Sequence, residues 1–217
     1  MTRESLFYRI ISAIHVVLFT SILAFGMIFL TGNLLMLPIL GAVFRIGKDF
    51  MEKKLDINDS IVRTYFHYLN KSLRLMRFCP VNLILLLNVA GMLVAVKTEQ
   101  LIFSIICLIL IAFLLVFMLY IAGYYTFVEE KVGLMEVVFC MLFKPQYLIP
   151  IFVIMIFNTY FASATLGIIL LFTGTFFLFA LEVLVLIQML YYRELTGGLQ
   201  ENDEFYYLIH RSEQKNK

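Results

Sequence analysis

Three polar side chains inside apolar stretches are the residues of this sequence best placed to do chemistry: Glu182, Asn88 and His15. If these stretches cross a bilayer, an ionisable group there is costly and usually has a role. Glu182 lies eleven residues before Arg193, so about 16 Å along a helix from the inner surface. The same count places Asn88 about 13 Å deep and His15 about 9 Å deep, which makes Asn88 the expected partner of Glu182. Two interpretations stay open: a protonated or hydrogen-bonded Glu182 that joins two helices, and a proton or cation site.

Enzyme chemistry is not indicated by any motif. The sequence has no GxSxG, HExxH or P-loop pattern. Its histidines are scattered, and its cysteines lack the spacing of a zinc site or a CxxC pair. These residues are His15, His67 and His210, and Cys79, Cys107 and Cys140. We therefore expect a protein that is not an enzyme and that binds no cofactor or metal.

Six apolar stretches would have to position these side chains. The chain is 62% hydrophobic and 15% charged, against about 45–50% and about 25% in a soluble domain. The stretches are 10–30, 34–46, 80–96, 101–128, 147–157 and 166–192. They predict an all-α polytopic membrane helix bundle, with one integral membrane domain at 1–192 and a cytoplasmic tail at 193–217.

The second stretch, 34–46, is the least regular of the six. Its 13 residues reach only about 20 Å as a helix, and Pro38 and Gly41 predict that it is short or broken. Such a segment must be shielded by neighbouring helices, because unpaired backbone cannot face lipid. Five spans are the alternative, reached if this stretch only dips into the bilayer and returns.

The basic residues predict the orientation. If the stretches alternate across a bilayer, 16 of the 17 Lys and Arg residues lie on one side, and only Lys97 lies on the other. Basic loops are retained in the cytoplasm. Both termini are therefore expected there, in a multi-pass plasma-membrane protein with almost nothing outside.

An amphipathic surface helix is predicted to begin near Ser60. One face carries Ile61, Tyr65, Phe66, Leu69, Leu73 and Met76, and the other carries Arg63, His67, Lys71 and Arg74. With Arg77, this basic face fits the headgroups of anionic lipid, or a partner, better than nucleic acid, because the helix leads directly into an apolar stretch. A second short surface helix is predicted within 129–146.

Small residues line one side of the last apolar stretches. Ser163, Gly167 and Gly174 follow at spacings of four and seven, which is typical of close helix contact. Packing within the bundle is the first interpretation, and a homo-oligomer contact is the alternative.

The order of features from Leu30 to Phe78 resembles the YesL-like family of bacterial integral membrane proteins. The residues that carry the resemblance are Asn33-Leu34-Leu35 before Pro38, then Gly41-Ala42, Arg45 and the segment 60–73. Met36 stands where the family commonly has an aromatic residue. The resemblance implies a bacterial plasma membrane and, by association only, an accessory role beside carbohydrate ABC transporters. It implies no catalytic residues.

Two functions are therefore expected from the sequence. The first is a non-enzymatic accessory or interaction subunit linked to carbohydrate ABC transport, with Arg63, Lys71, Arg74 and Arg77 facing lipid or the partner. The second is a small transporter or channel in its own right, with Glu182 and Asn88 along the path.

Overall fold

The computed structural model describes residues 6–51, 55, 60–128, 133–143, 146, 148–153, 182 and 184–197, with side chains from residue 14 onward. Every regular element in these ranges is a helix, which confirms the all-α class for this part of the chain. The elements are α1 (Leu6–Leu30), α2 (Met36–Met51), α3 (Ile61–Ser72), a 3-10 helix (Leu73–Phe78), α4 (Cys79–Lys97), α5 (Leu101–Val128) and α6 (Leu134–Leu142). Residues 184–195 form a further helical stretch, named α7.

Two helices in the described ranges are long and apolar enough to cross a bilayer. One is the continuous helix Ile61–Lys97, made of α3, the 3-10 helix and α4, and the other is Leu101–Phe127. The apolar part of α1, Ile14–Leu30, is shorter. Of the predicted span 147–157 the structure describes 148–153, which are helical, and of 166–192 it describes 182 and 184–192. The tail beyond residue 197 lies outside the described residues. The count of six spans therefore stays a prediction.

α2 is one unbroken helix of 16 residues, so of the two alternatives predicted for this stretch, short or broken, the structure shows the short helix and excludes the break. Pro38 is the third residue of α2. The first four N–H groups of a helix have no acceptor within it, so a proline there removes no helical hydrogen bond. The helix also continues five residues beyond Ile46, to Met51.

The core is arranged around α2, whose two faces belong to two different clusters of buried side chains. Leu37, Leu40 and Phe44 pack with residues of α4, α5, α6 and α7. On the opposite face, residues of α2 pack with α1 and α3; they are Ile39, Ala42, Val43 and Ile46. The predicted shielding of this segment by neighbouring helices is confirmed.

α2 runs antiparallel to the long helix that begins with α3. The Asn82 amide bonds to Leu34 O at one end, and Tyr68 OH donates to Asp49 at the other. Between these points a Cβ at Gly41 would lie 2.8 Å from Leu75 Cδ1 and 3.1 Å from Ser72 Cβ. Only glycine allows this approach without displacing a neighbour. The long helix is therefore packed along α2 from Tyr68 to Asn82.

Candidate functional site

Glu182 lies beside a small cavity between α1 and α2. Its side chain is 2% exposed. The cavity has a volume of about 10 Å³, and its polar lining consists of Glu182, Thr20 and Ser21. The remaining lining residues are Val16, Val17, Val43, Ile46, Gly47 and Phe50. This volume is close to the lower limit for one water molecule.

Two oxygens at this cavity have no hydrogen-bond partner within the described part of the chain. They are Glu182 Oε1 and Thr20 Oγ1, and Thr20 is itself only 4% exposed. Leaving a buried polar atom unpaired costs about 1–3 kcal/mol. A proton on the carboxyl, a water molecule or a small cation could satisfy these atoms, which is the chemistry that the arrangement permits.

Gly47 makes room for the Glu182 carboxylate. A Cβ at position 47 would overlap that carboxylate, so any larger residue would force the Glu182 side chain to move. This contact could not be predicted, because Gly47 and Glu182 are far apart in the chain and belong to no recognisable motif.

Glu182 is closer to the basic end of α2 than its distance from Arg193 along the chain predicts. It is adjacent to Gly47, which directly precedes Lys48. Lys48 Nζ lies 5.2 Å and Arg193 Cζ 5.3 Å from the centroid of the same Phe127 ring. The count of eleven residues from Arg193 placed Glu182 about 16 Å from the inner surface, whereas in the structure its carboxylate lies beside the residue that precedes Lys48.

Asn88 is not the partner of Glu182, and that prediction is wrong. The Asn88 Nδ2 atom donates to Ile84 O at 2.9 Å, within its own helix. His15 also points elsewhere: its side chain is exposed and its ring centroid lies 4.5 Å from that of Phe19. Neither residue lines the cavity.

Asn82, which the sequence analysis did not single out, links α4 to the turn between α1 and α2. It is 2% exposed, and its Nδ2 donates to Leu34 O at 2.9 Å and to Asn33 O at 3.3 Å. It lies six residues before Asn88 in the same apolar stretch. The sequence signal was therefore present, since both asparagines are polar residues within an apolar helix, but the choice between them required the fold.

Gln188 is a second polar side chain that the sequence analysis missed. It is fully buried. Its Nε2 donates to Cys140 O at 3.1 Å, to Met141 O at 3.2 Å and to Phe143 O, and its Oε1 accepts from Tyr120 OH. Gln188 thus fastens the carboxyl end of α6 to α7 and α5.

The predicted basic surface is exposed along α3 and the 3-10 helix. Arg63, Lys71, Arg74 and Arg77 are all exposed. Two of them lie over neighbouring aromatic rings: Lys71 Nζ is 5.8 Å from the Tyr68 ring centroid, and Arg77 Cζ is 4.8 Å from that of Phe78. The segment 61–78 contains no acidic residue.

The apolar face predicted for α3 is divided in two. Tyr65 and Leu69 are buried against α1 and α2. Phe66, Leu73 and Met76 are exposed, as is Val62, and they lie among the basic residues. The division arises because α2 packs along only one side of the helix. The result is a mixed surface, cationic and apolar, typical of a helix at a membrane interface.

The small-residue stripe of Ser163, Gly167 and Gly174 lies outside the described residues. Among the side chains that the structure does describe, no three of the His, Cys, Asp or Glu type come together at metal-binding distance.

Comparisons with protein-family models, with curated proteins and with solved structures give no match. The resemblance to the YesL-like family therefore stays a prediction.

Proposed function

We propose that the chain is a multi-pass protein of a bacterial plasma membrane with both termini in the cytoplasm. Two helices of sufficient length and hydropathy support this. So does the asymmetry of the basic residues, of which only Lys97 lies at the turn between α4 and α5. Large apolar side chains are also exposed along both of these helices, as expected of surfaces that face lipid.

Within that membrane, the proposed role is a non-enzymatic accessory or interaction subunit. The observation that carries this proposal is the exposed surface of α3 and the 3-10 helix, called here the basic surface: Arg63, Lys71, Arg74 and Arg77 with the apolar side chains between them. The segment 61–78 carries these cations and no acidic residue; cations attract anionic groups, and exposed apolar side chains supply contact area. A carbohydrate ABC transporter is the proposed partner, on the resemblance described above.

Affinity purification from native membranes after brief crosslinking tests this role. The wild-type chain should recover transporter subunits, and a variant with the four basic residues changed to Gln should recover far fewer, because its surface has lost the charge that attracts the partner. Lys97→Gln is the matched control, since it removes a charge at the opposite turn. Equal recovery with all three chains, or no transporter subunit with wild type, would count against the proposal.

A small transporter or channel is the second candidate, and the cavity at Glu182 favours it. A water-sized space with two unpaired buried oxygens could hold a proton or a small monovalent cation in transit. Glu182 would carry the charge, and Thr20 would supply a neutral ligand.

Flux into reconstituted vesicles separates this candidate from a structural role for Glu182. If Glu182 carries the ion, Glu182→Gln should abolish proton or cation flux while the protein still inserts and elutes as a monodisperse peak. If Glu182 only joins helices, the Gln variant should retain full activity, because its amide can still form hydrogen bonds. Wild-type vesicles with no flux of sugars, protons or cations would remove the candidate.

A further inference from the structure

We propose that α1 and α2 form a re-entrant hairpin, which enters the bilayer from the cytoplasmic side and turns back within the hydrocarbon. The tip of the hairpin is the turn Thr31–Asn33 with the flanking side chains of Phe29, Leu30 and Leu34. Its partner is the acyl chains of the inner leaflet. The inference rests on the membrane location and orientation proposed above, and it replaces two of the six predicted spans.

The position of the tip is measured first along α4. Because Asn82 Nδ2 donates to Leu34 O at 2.9 Å, the tip lies level with Asn82. α4 then continues for fifteen residues to its end at Lys97, which is about 22 Å of helix. The α1–α2 turn is therefore far below the α4–α5 turn.

A second measure along α5 gives the same offset. Arg45 Cζ lies 5.1 Å from the Tyr125 ring centroid, and Tyr125 OH donates to Lys71 O at 3.1 Å. Leu34 is eleven residues from Arg45, and eleven residues from Tyr125 is Leu114. From there to the start of α5 at Leu101 are thirteen residues, or about 20 Å.

The part of α4 and α5 beyond the level of the tip has an apolar exposed surface. Exposed side chains on α4 include Leu83, Ile84, Leu87, Leu93 and Val94, and on α5 they include Leu101, Ile102, Phe103, Ile106 and Ile109. Such a surface belongs in hydrocarbon, which is about 30 Å thick. With the α4–α5 turn at the outer boundary, the α1–α2 turn lies about 20 Å below it and about 10 Å above the inner boundary.

Five of the six amides from Thr31 to Met36 donate hydrogen bonds, which suits a position in hydrocarbon, where no water is present to bond to free amides and carbonyls. Thr31 N, Gly32 N and Asn33 N donate to carbonyls of the last turns of α1 at 3.0, 3.2 and 3.0 Å. Leu34 N and Met36 N donate within the turn at 3.1 and 3.2 Å. The carbonyls of Asn33 and Leu34 accept from Asn82.

The side chains that flank the tip are apolar and outward-facing, and the Thr31 hydroxyl within it donates to Met27 O at 2.7 Å. Phe29 is 88% exposed, Leu30 is 79% exposed and Leu34 is 54% exposed. Gly32 and Asn33, with φ of 56° and 67°, close the turn in the left-handed region, which these two residue types tolerate best. A tip flanked by apolar side chains, with most of its amides bonded and about 10 Å inside the hydrocarbon, fits acyl chains rather than an aqueous loop.

Site-directed fluorescence in vesicles tests the hairpin. Cys79, the one half-exposed cysteine in the described ranges, is replaced by alanine, and single cysteines are introduced by Leu30→Cys, with Phe29→Cys as a second variant should the first fail to fold. Thr98→Cys at the α4–α5 turn is the control. Each is labelled with bimane and quenched by lipids carrying a nitroxide either in the headgroup or near the end of the acyl chain.

We expect Leu30→Cys to be quenched several-fold more by the chain nitroxide than by the headgroup nitroxide, and to resist an impermeant maleimide added outside. Thr98→Cys should react with that maleimide.

Labelling of Leu30→Cys from outside as fast as Thr98→Cys would overturn the inference and restore a spanning hairpin. A bimane at position 30 that neither lipid quenches would also overturn it, since protein would then cover the tip. If Thr98→Cys is not labelled from outside while position 30 is quenched by the chain nitroxide, the hydrocarbon location is supported and the proposed orientation is refuted.

Discussion

Asn82→Ala should destabilise the protein, whereas Asn88→Ala should not. Asn82 is almost fully buried and donates to two carbonyls of another segment, Leu34 O and Asn33 O. Asn88 bonds only to Ile84 O of its own helix. The two asparagines lie six residues apart on α4, so each variant controls for the chemistry of the other substitution.

The expected change in the free energy of unfolding follows from the hydrogen bonds that each alanine substitution removes. Removing the Asn82 amide leaves the part-buried Leu34 O without a donor, while Asn33 O keeps its bond from Met36 N; the lost donor costs about 1–3 kcal/mol. The gain in helix propensity from Asn to Ala offsets about 0.5 kcal/mol of that. We expect a net loss of about 1–2 kcal/mol for Asn82→Ala, and a change within about 0.5 kcal/mol for Asn88→Ala.

Unfolding of the purified chain in SDS, followed by circular dichroism, measures the two free energies. Asn82→Asp should cost at least as much as Asn82→Ala, because an ionised carboxylate cannot donate to a carbonyl and is costly to bury. Equal stability of the two alanine variants, or a larger loss for Asn88→Ala, would show that the capping of the α1–α2 turn by Asn82 contributes nothing.

Three further predictions concern close contacts in the core. Gly41→Ala should cost about 1–3 kcal/mol through overpacking, because its Cβ would lie 2.8 Å from one neighbouring atom and 3.1 Å from another. Gly26→Ala, whose Cβ meets nothing within 4 Å, should instead stabilise α1 by about 0.5–1 kcal/mol; equal effects in SDS unfolding would contradict the account. Gln188→Leu should expose the C-terminal end of α6 to proteolysis, because the bonds that fasten it are lost, and an unchanged cleavage pattern would refute that role. Burial raises the pKa of the Cys140 thiol to about 12, so iodoacetamide should modify it only after unfolding, and the rate for the folded chain should not rise between about pH 7 and pH 10. Rapid modification of the folded chain would contradict the burial of Cys140.

The raised pKa of Cys140 also has a consequence for stability. In the unfolded chain the thiol loses its proton above about pH 9, whereas in the folded chain it keeps it up to about pH 12. The folded state therefore binds more protons in this window, and its stability should fall as the pH rises through it.

Hydropathy predicted the bounds of a helix well where an apolar stretch corresponds to a single helix. α5 coincides with the stretch 101–128, and α4 with 80–96 to within one residue at each end. The sequence also predicted that α3 begins near Ser60, and in the structure Ser60 is the N-cap, whose side chain accepts from Arg63 N. These features depend on local sequence, so neighbouring segments did not alter them.

The depth of a residue in the membrane and its contact partners on other helices could not be predicted from hydropathy. Counting residues from the nearest basic residue assumes that every helix crosses the membrane upright from the same plane. The contact of Asn82, near the start of α4, with Leu34, beyond the end of α1, does not fit this assumption. For the same reason the count favoured Asn88 as a partner. The contact of Gly41 depends on the antiparallel packing of α2 against the long helix, and that of Gln188 depends on the position of α6. No local sequence pattern predicts either arrangement.

The side of the membrane on which the basic surface lies decides whether it can meet a cytoplasmic partner. In intact cells and in inside-out vesicles, the rate of reaction of Arg63→Cys and Thr98→Cys with an impermeant maleimide gives the side of each residue. We expect position 98 to react only in cells and position 63 only in inside-out vesicles. Reaction of position 63 in intact cells would place the basic surface outside and contradict the proposed membrane protein with a cytoplasmic interaction surface.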